Sequence, residues 1–272
     1  MSPHNDTFDR PEAKAFGSQV VHRAALLLRL VAAGNRTGLR LADLHRAADL
    51  HRPTTHRLLQ ALVSERLLRQ DSQTRRYFLG PAMYEMGLVA SPHVSLRDLC
   101  QPYLKSIAIA TGDTVFLTER SGLDGVCTAR AEGDAPIKAY VLEVGKRRPL
   151  TVGGGALAIL SAMEEVELDR VCRANLERTL RTFPRYTEAH LRRVVARARS
   201  NGFVVSRVLE MPDVRTVAVP VRDPSGRSVA AISVSTVVTR MSEARAMEIV
   251  GLLQPAVTSI ERALLAFLVW DL

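Results

Sequence analysis

Three cysteines in 272 residues, Cys100, Cys127 and Cys172, are too isolated for a disulfide framework, odd in number, and without the spacing of a zinc site. A reducing cytoplasm is the expected setting, with neither metal nor cofactor. Long apolar runs are also missing. The longest, Ala263 to Trp270, is far too short to cross a bilayer, and the polar N-terminus lacks the apolar stretch of a signal peptide. No membrane partner is expected. Signatures of catalysis are equally scarce: no Gly-x-Ser-x-Gly elbow, His-Glu-x-x-His pair, Walker loop or dinucleotide fingerprint occurs. The histidines, His4, His22, His45, His51, His56, His93 and His190, show no catalytic spacing to a carboxylate or cysteine. The chain does not read as an enzyme.

What the chain has is positive charge, and it is unevenly placed. The formal net charge is +9. Between residues 23 and 76, eleven arginines face four carboxylates, leaving +7 in that stretch. Arginine outnumbers lysine throughout, so part of this excess can reflect coding bias. Its concentration in one segment nonetheless suits a phosphate backbone, which attracts such a patch whatever its base sequence.

The same segment carries a helical pattern. Val21, Ala24, Ala25, Leu28, Val31 and Ala32 recur at helical spacing between Ser18, a plausible N-cap, and the stop signal Gly34-Asn35. Two shorter apolar-periodic segments follow, Leu41 to Ala47 and Pro53 to Leu62, joined by a tight polar connection through Asp49 and Arg52. That is helix-turn-helix spacing. Leu58, Leu59 and Leu62 form the inward stripe of the second, leaving Arg52, Thr54, Thr55, His56, Arg57 and Gln60 as candidate groove contacts, with Arg40 ahead of the first. Arginine can fork onto guanine, glutamine can pair with adenine, and threonine permits close approach. An ordinary solvated helix face would show the same residues. The runs Leu67 to Gln70 and Arg76 to Leu79 flank the polar turn 71–75 and predict a hairpin wing that presents Arg75 and Arg76 to phosphates or the minor groove.

Beyond Gly80-Pro81 a connecting helix is expected over 82–90, and another from Ser95 to Thr111. Strands are then predicted over 115–119, 125–130 and 137–142, helices over 156–160, 164–176 and 188–200, three more strands over 203–209, 214–222 and 228–237, and a final helix from 243. This is an α+β pattern. It divides into a mobile arm (1–17), a winged helix-turn-helix (18–80), a linker region (81–94) and a larger domain (95–272). Ser233 and Ser235, two apart on a strand, face the same side. The triplet Gly153-Gly154-Gly155 opens a helix and can either offer free N–H groups to an anion or permit a close helix–strand approach. The serines can equally satisfy neighbouring backbone groups.

Five ordered motifs, the last closed by a further short strand segment, resemble the isocitrate lyase regulator (IclR) family of bacterial transcription factors. They are Arg23 to Leu28, Thr54 to Leu59, Arg76 to Gly80, Arg148-Pro149-Leu150, the tract from Gly202-Phe203 to Asp223, and Ile232 to Ser235. The resemblance implies a winged helix-turn-helix, a helical linker and a GAF-like effector-binding domain of antiparallel sheet with packed helices, usually assembled as dimers of dimers. It also implies that a small acid is held at Gly154, Gly155, Ser206, Thr216, Ser233 and Ser235. Where many members carry acidic residues and a cysteine, this chain has Ser206, Val208, Leu209 and Thr216, which suggests a less polar pocket suited to an aromatic or longer aliphatic acid. The expected function is a ligand-responsive repressor or activator, a homodimer or dimer of dimers on double-stranded operator DNA. The alternative is an architectural DNA-binding protein with a ligand-free dimerisation domain.

Overall fold

A computed structural model of the chain describes residues 18–90, 95–183 and 186–270, the side chains of Ser18 and of 267–270 excepted. The N-terminal arm and positions 91–94 of the linker region lie outside the described residues. Contacts divide the chain into two compact units, Met1–Pro92 and His93–Leu272.

The first unit contains α1 (Ser18–Ala33), α2 (Leu41–Ala47), α3 (Arg52–Ser64), β1 (Leu68–Gln70), β2 (Tyr77–Leu79) and α4 (Pro81–Ala90). Its centre is an aliphatic cluster of Leu27, Val31, Leu44, Leu59, Leu62 and Leu68, closed by the buried ring of Tyr77. The turn between α2 and α3 needs one left-handed residue. Asp49, with φ 51°, supplies it, as short polar side chains tolerate that conformation better than bulky ones. Strands β1 and β2 pair antiparallel with Arg69 opposite Phe78, and Leu39 adds a bridge to Tyr77. Asp71 secures the wing turn, its carboxylate accepting both the N–H and the hydroxyl of Thr74 at 2.7 Å. These bonds hold the Asp71 carboxyl below its ordinary value.

The second unit is one six-stranded antiparallel sheet in the order β5-β4-β3-β8-β7-β6, formed by β3 (Thr114–Ser121), β4 (Asp124–Glu132), β5 (Arg147–Pro149), β6 (Val204–Val208), β7 (Met211–Arg222) and β8 (Ser228–Val237). Alternation assigns the two faces. Val115, Leu117, Val217, Val219, Ile232 and Val234 pack against α5 (Leu96–Thr111) and α9 (Glu243–Trp270). The opposite face receives α6 (Gly154–Ser161), which is wholly buried and backed by α7 (Glu165–Thr182) and α8 (Glu188–Asn201).

Two expectations change here. Residues 137–142 are not a strand: the N–H groups of Tyr140 and Val141 bond locally, to Lys138 O and Ala139 O, in place of a ladder. Strand β4 pairs instead with β5, at Arg147–Pro149. The second concerns length and composition, by which Glu243–Ala266 of α9 is apolar enough to span a bilayer. Its stripe Ala246, Ile249, Leu253, Val257 and Ile260 is, however, buried against the sheet, so one face of the helix belongs to the core of this unit. The cysteines are all buried as free thiols, and burial pushes Cys127 up to about 11 and Cys100 to about 12.

Candidate DNA-reading face and effector cavity

Helix α3 buries Thr55, Leu59 and Leu62, and the opposite side exposes Arg52, His56, Arg57 and Gln60. Thr55 is therefore a correction. It is fully buried, with its hydroxyl donating to His51 O at 3.2 Å, and it stabilises the first turn of the helix rather than facing a groove. Thr54 is half-buried at the edge of the exposed face. Gln60 Nε2 lies 3.5 Å from the hydroxyl of Tyr77, which orients its amide toward the wing.

The wing's two arginines separate. Arg75 is exposed, at φ 57° in the turn. Arg76 is half-buried, and its Nη1 donates to Gly38 O at 2.7 Å and approaches Thr37 O at 3.4 Å. Its expected place on a phosphate is thus corrected to that of an anchor holding the wing to the loop ahead of α2. Other arginines of the unit are also committed: Arg46 to Asp43, Arg66 to Glu85, and Arg69 over the ring of Phe78 at 4.3 Å. Arg52, Arg57 and Arg75 have no ion-pair partner among the described residues. Arg40, Arg52, His56 and Arg75 line one groove of about 460 Å³ between the start of α2, the start of α3 and the wing. The unpaired guanidinium groups of Arg40, Arg52 and Arg75 on one concave surface concentrate positive potential there, the condition for attracting a polyanion.

In the second unit the positions implied by the resemblance meet between α6 and the sheet. A cavity of about 30 Å³ is lined by Gly153, Gly154, Gly155, Thr216, Ser233 and Ser235, with Thr118 and Arg148 added by the structure. Phe116, Leu142, Val152 and Val208 supply apolar wall. Register explains the grouping, because Thr216 stands opposite Ser235 and Phe116 opposite Ser233 across adjacent strands. Thr216 and Ser235 satisfy each other through a hydroxyl pair at 2.8 Å. Thr118 and Ser233, each only 4% exposed, have no hydrogen-bond partner among the described residues. Ser206, expected at this site, does not line it: its buried and unpartnered Oγ belongs to a residue lining a separate cavity of about 920 Å³ that shares Gly153.

Helix α6 opens at Gly153, whose φ of 89° only glycine adopts readily. A Cβ on Gly154 would sit 2.5 Å from Thr216 Cγ2, and one on Gly155 would sit 2.7 Å from Thr118 Oγ1. The triplet thus does permit close helix–sheet approach. The first-turn N–H groups have no intrahelical acceptor, so they also form an anion-attracting end against two unpartnered hydroxyls. Thr118 was missed from sequence, although it shares a face with Phe116 two residues before it. Arg148 was missed because an arginine at a strand edge ordinarily reads as solvated.

Comparisons with known proteins agree with this architecture. Residues 20–72 match the IclR helix-turn-helix domain, and residues 90–262 match the bacterial transcriptional regulator IclR C-terminal domain. The HTH-type transcriptional regulator BhcR of Paracoccus denitrificans is 29% identical over 232 residues, 84% of this chain and 81% of that protein. The structure of an IclR transcriptional regulator from Alicyclobacillus acidocaldarius superposes with a TM-score of 0.75 at 22% identity, covering 90% of this chain and 98% of that one. An IclR homologue from Microbacterium hydrocarbonoxydans complexed with 4-hydroxybenzoate gives a TM-score of 0.71 at 21% identity, covering 91% and 99%. With both domain models matched in order along an α+β chain of this topology, the protein belongs to the IclR family and is a DNA-binding transcriptional regulator, not an enzyme, with a helix-turn-helix domain and a C-terminal effector domain.

Proposed function

We propose that this regulator is a cytoplasmic homodimer or dimer of dimers that binds a pseudo-palindromic operator and changes its grip when a small carboxylate enters the cavity beside α6. Two α3 helices occupy successive major grooves about one helical turn apart. Arg57, Gln60 and His56 face base edges, and Arg40, Arg52 and Arg75 face phosphates. The carboxylate meets the α6 amides and the hydroxyls of Thr118 and Ser233, with its apolar body toward Phe116, Val152 and Val208. An aromatic or longer aliphatic acid suits these walls, and the 4-hydroxybenzoate complex of a fold relative makes aromatic acids the first to test.

One observation carries the ligand reading: the hydroxyls of Thr118 and Ser233, on residues only 4% exposed and without a hydrogen-bond partner among the described residues, line a cavity together with the N-terminus of α6. Acceptor atoms of a bound ligand would give both hydroxyls the partner they lack. At about 30 Å³ the cavity holds little more than one water, so the ligand must widen it. That need couples occupancy to conformation. A preference of roughly 1–3 kcal/mol between two arrangements is enough for a useful switch.

A thermal-shift screen of the full chain against small organic acids tests this. A ligand at a hundred times its Kd adds about 2.7 kcal/mol to the native state, a shift that is readily seen. Combining Thr118→Val with Ser233→Ala is expected to remove the shift and the effect of the acid on DNA, leaving operator affinity without ligand unchanged. An undiminished shift in the double variant would place the site elsewhere. Ser235→Ala differs in kind, because it strands Thr216 Oγ1 and is expected to lower stability by about 1–3 kcal/mol.

A further inference from the structure

Among the described residues, Arg148 is the one formally charged residue that lines the cavity. Arg148 lies on the edge strand β5 with its side chain only 14% exposed. Nη2 donates to Val141 O at 2.6 Å and lies 3.0 Å from Glu210 Oε1. Nε and Nη1 have no acceptor among the described residues. Nη1 sits 3.4 Å from where a Cβ on Gly153 would be, so the uncommitted edge of the guanidinium rests against the residue that opens α6. Glu210 is the only carboxylate paired with it among the described residues, and its side chain is 35% exposed, so water shares its charge. Desolvation accordingly pulls the Arg148 pKa down, with Glu210 opposing.

We infer that Arg148 is the charge partner of the effector, and that it selects an anionic headgroup over a neutral polar one of the same shape. The inference rests on the reading that the cavity is the ligand site. Three kinds of donor line the same small cavity around the first turn of α6: the α6 amides, the free edge of the fork beside Gly153, and the Thr118 and Ser233 hydroxyls beside Gly155. A carboxylate presents two oxygens to that set, and a planar fork in a site shielded from water favours it strongly. A carboxamide presents one oxygen and an NH₂ that would point at other donors, leaving groups unpaired on both sides. No neutral ligand replaces the negative charge that the free edge lacks. Glu210 competes for the same guanidinium, so it limits affinity for the anion.

The test uses the full chain and isothermal titration with a panel of carboxylates, namely benzoate, 4-hydroxybenzoate, hexanoate and pyruvate, together with the amides of the two aromatic acids. Wild type is expected to bind at least one acid and to prefer it to its amide by tenfold or more. Arg148→Gln is expected to weaken acid binding at least tenfold, to leave amide binding within about twofold, and so to erase the preference. Glu210→Gln, which retains the guanidinium, is expected to strengthen acid binding severalfold and keeps the inference testable should Arg148→Gln fold poorly. Acid preference undiminished in Arg148→Gln, or acid binding unchanged in Glu210→Gln, overturns the role of Arg148 while the cavity reading stands. Binding of no panel member by wild type at millimolar concentration overturns the cavity reading, and this inference with it.

Discussion

Gly80→Ala is expected to abolish operator binding while leaving the sheet of the second unit intact. A Cβ on Gly80 would lie 2.0 Å from Arg66 O, 2.7 Å from Arg66 C and 2.9 Å from Leu67 C. All three are backbone atoms, so no side chain can swing aside. The opposing chain is also pinned. Arg66 holds a left-handed φ of 59°, Gly80 N–H donates to Leu67 O at 2.8 Å, and Ala82 N–H to Arg66 O at 3.2 Å. Relief must come from moving the wing away from α3, at a cost of about 1–3 kcal/mol or more. Two three-residue strands cannot absorb that, because short ladders are among the first elements to open. Hydrogen exchange checks it: peptides covering 66–80 should lose protection while β3 and β8 keep theirs. Unchanged protection together with unchanged operator affinity would contradict the packing argument.

Arg57→Ala is expected to weaken specific binding by about tenfold to a hundredfold and to relax discrimination at one base position in each half-site. Arg57 is exposed on the side of α3 opposite Leu59 and Leu62, and no carboxylate among the described residues competes for it. Arg75→Ala should behave otherwise, lowering affinity for all duplexes alike and reducing the salt slope by about one per reader, as loss of a phosphate contact does. Arg76→Ala is distinguished from both. Freeing the carbonyls of Gly38 and Thr37 should loosen the wing, so its effect should appear first in the stability of the first unit. Electrophoretic mobility shifts on operator and random duplex across a salt series separate the three. Equal losses on both duplexes for Arg57→Ala would move base reading to other residues.

Much of this arrangement was legible in the residues, and the reasons for the exceptions are local. Period-3.6 spacing marks α1, α2 and α3, and Thr55 falls on the same inward stripe as Leu59 and Leu62. Counting threonine as a groove contact by residue type alone hid that placement. Alternation puts Ser233 and Ser235 on one side of β8, but it does not say which neighbouring strand brings hydroxyls to the same side. Only the register opposing Phe116 to Ser233 brings Thr118 into the cavity. The segment 137–142 is rich in apolar and β-prone residues like a strand, yet the N–H groups of Tyr140 and Val141 turn back within it and Arg147–Pro149 takes the edge of β4 instead. Arg148 shows a further kind of gap. Its charge is visible in sequence, but its burial depends on the irregular segment that carries Val141 seven residues earlier and on Glu210, distant along the chain.

The central claim is that a basic reader and a ligand cavity in one chain make a metabolite-controlled switch on DNA. Footprinting of the full chain on its own promoter region, with and without the acid that raises its melting point, tests this most directly. The account predicts protection of two half-sites about one helical turn apart, preference over random duplex at moderate salt, and a shift of at least fivefold in operator affinity on adding the acid. Protection that is the same with and without a bound acid, or no preference for the promoter over random duplex, would contradict it.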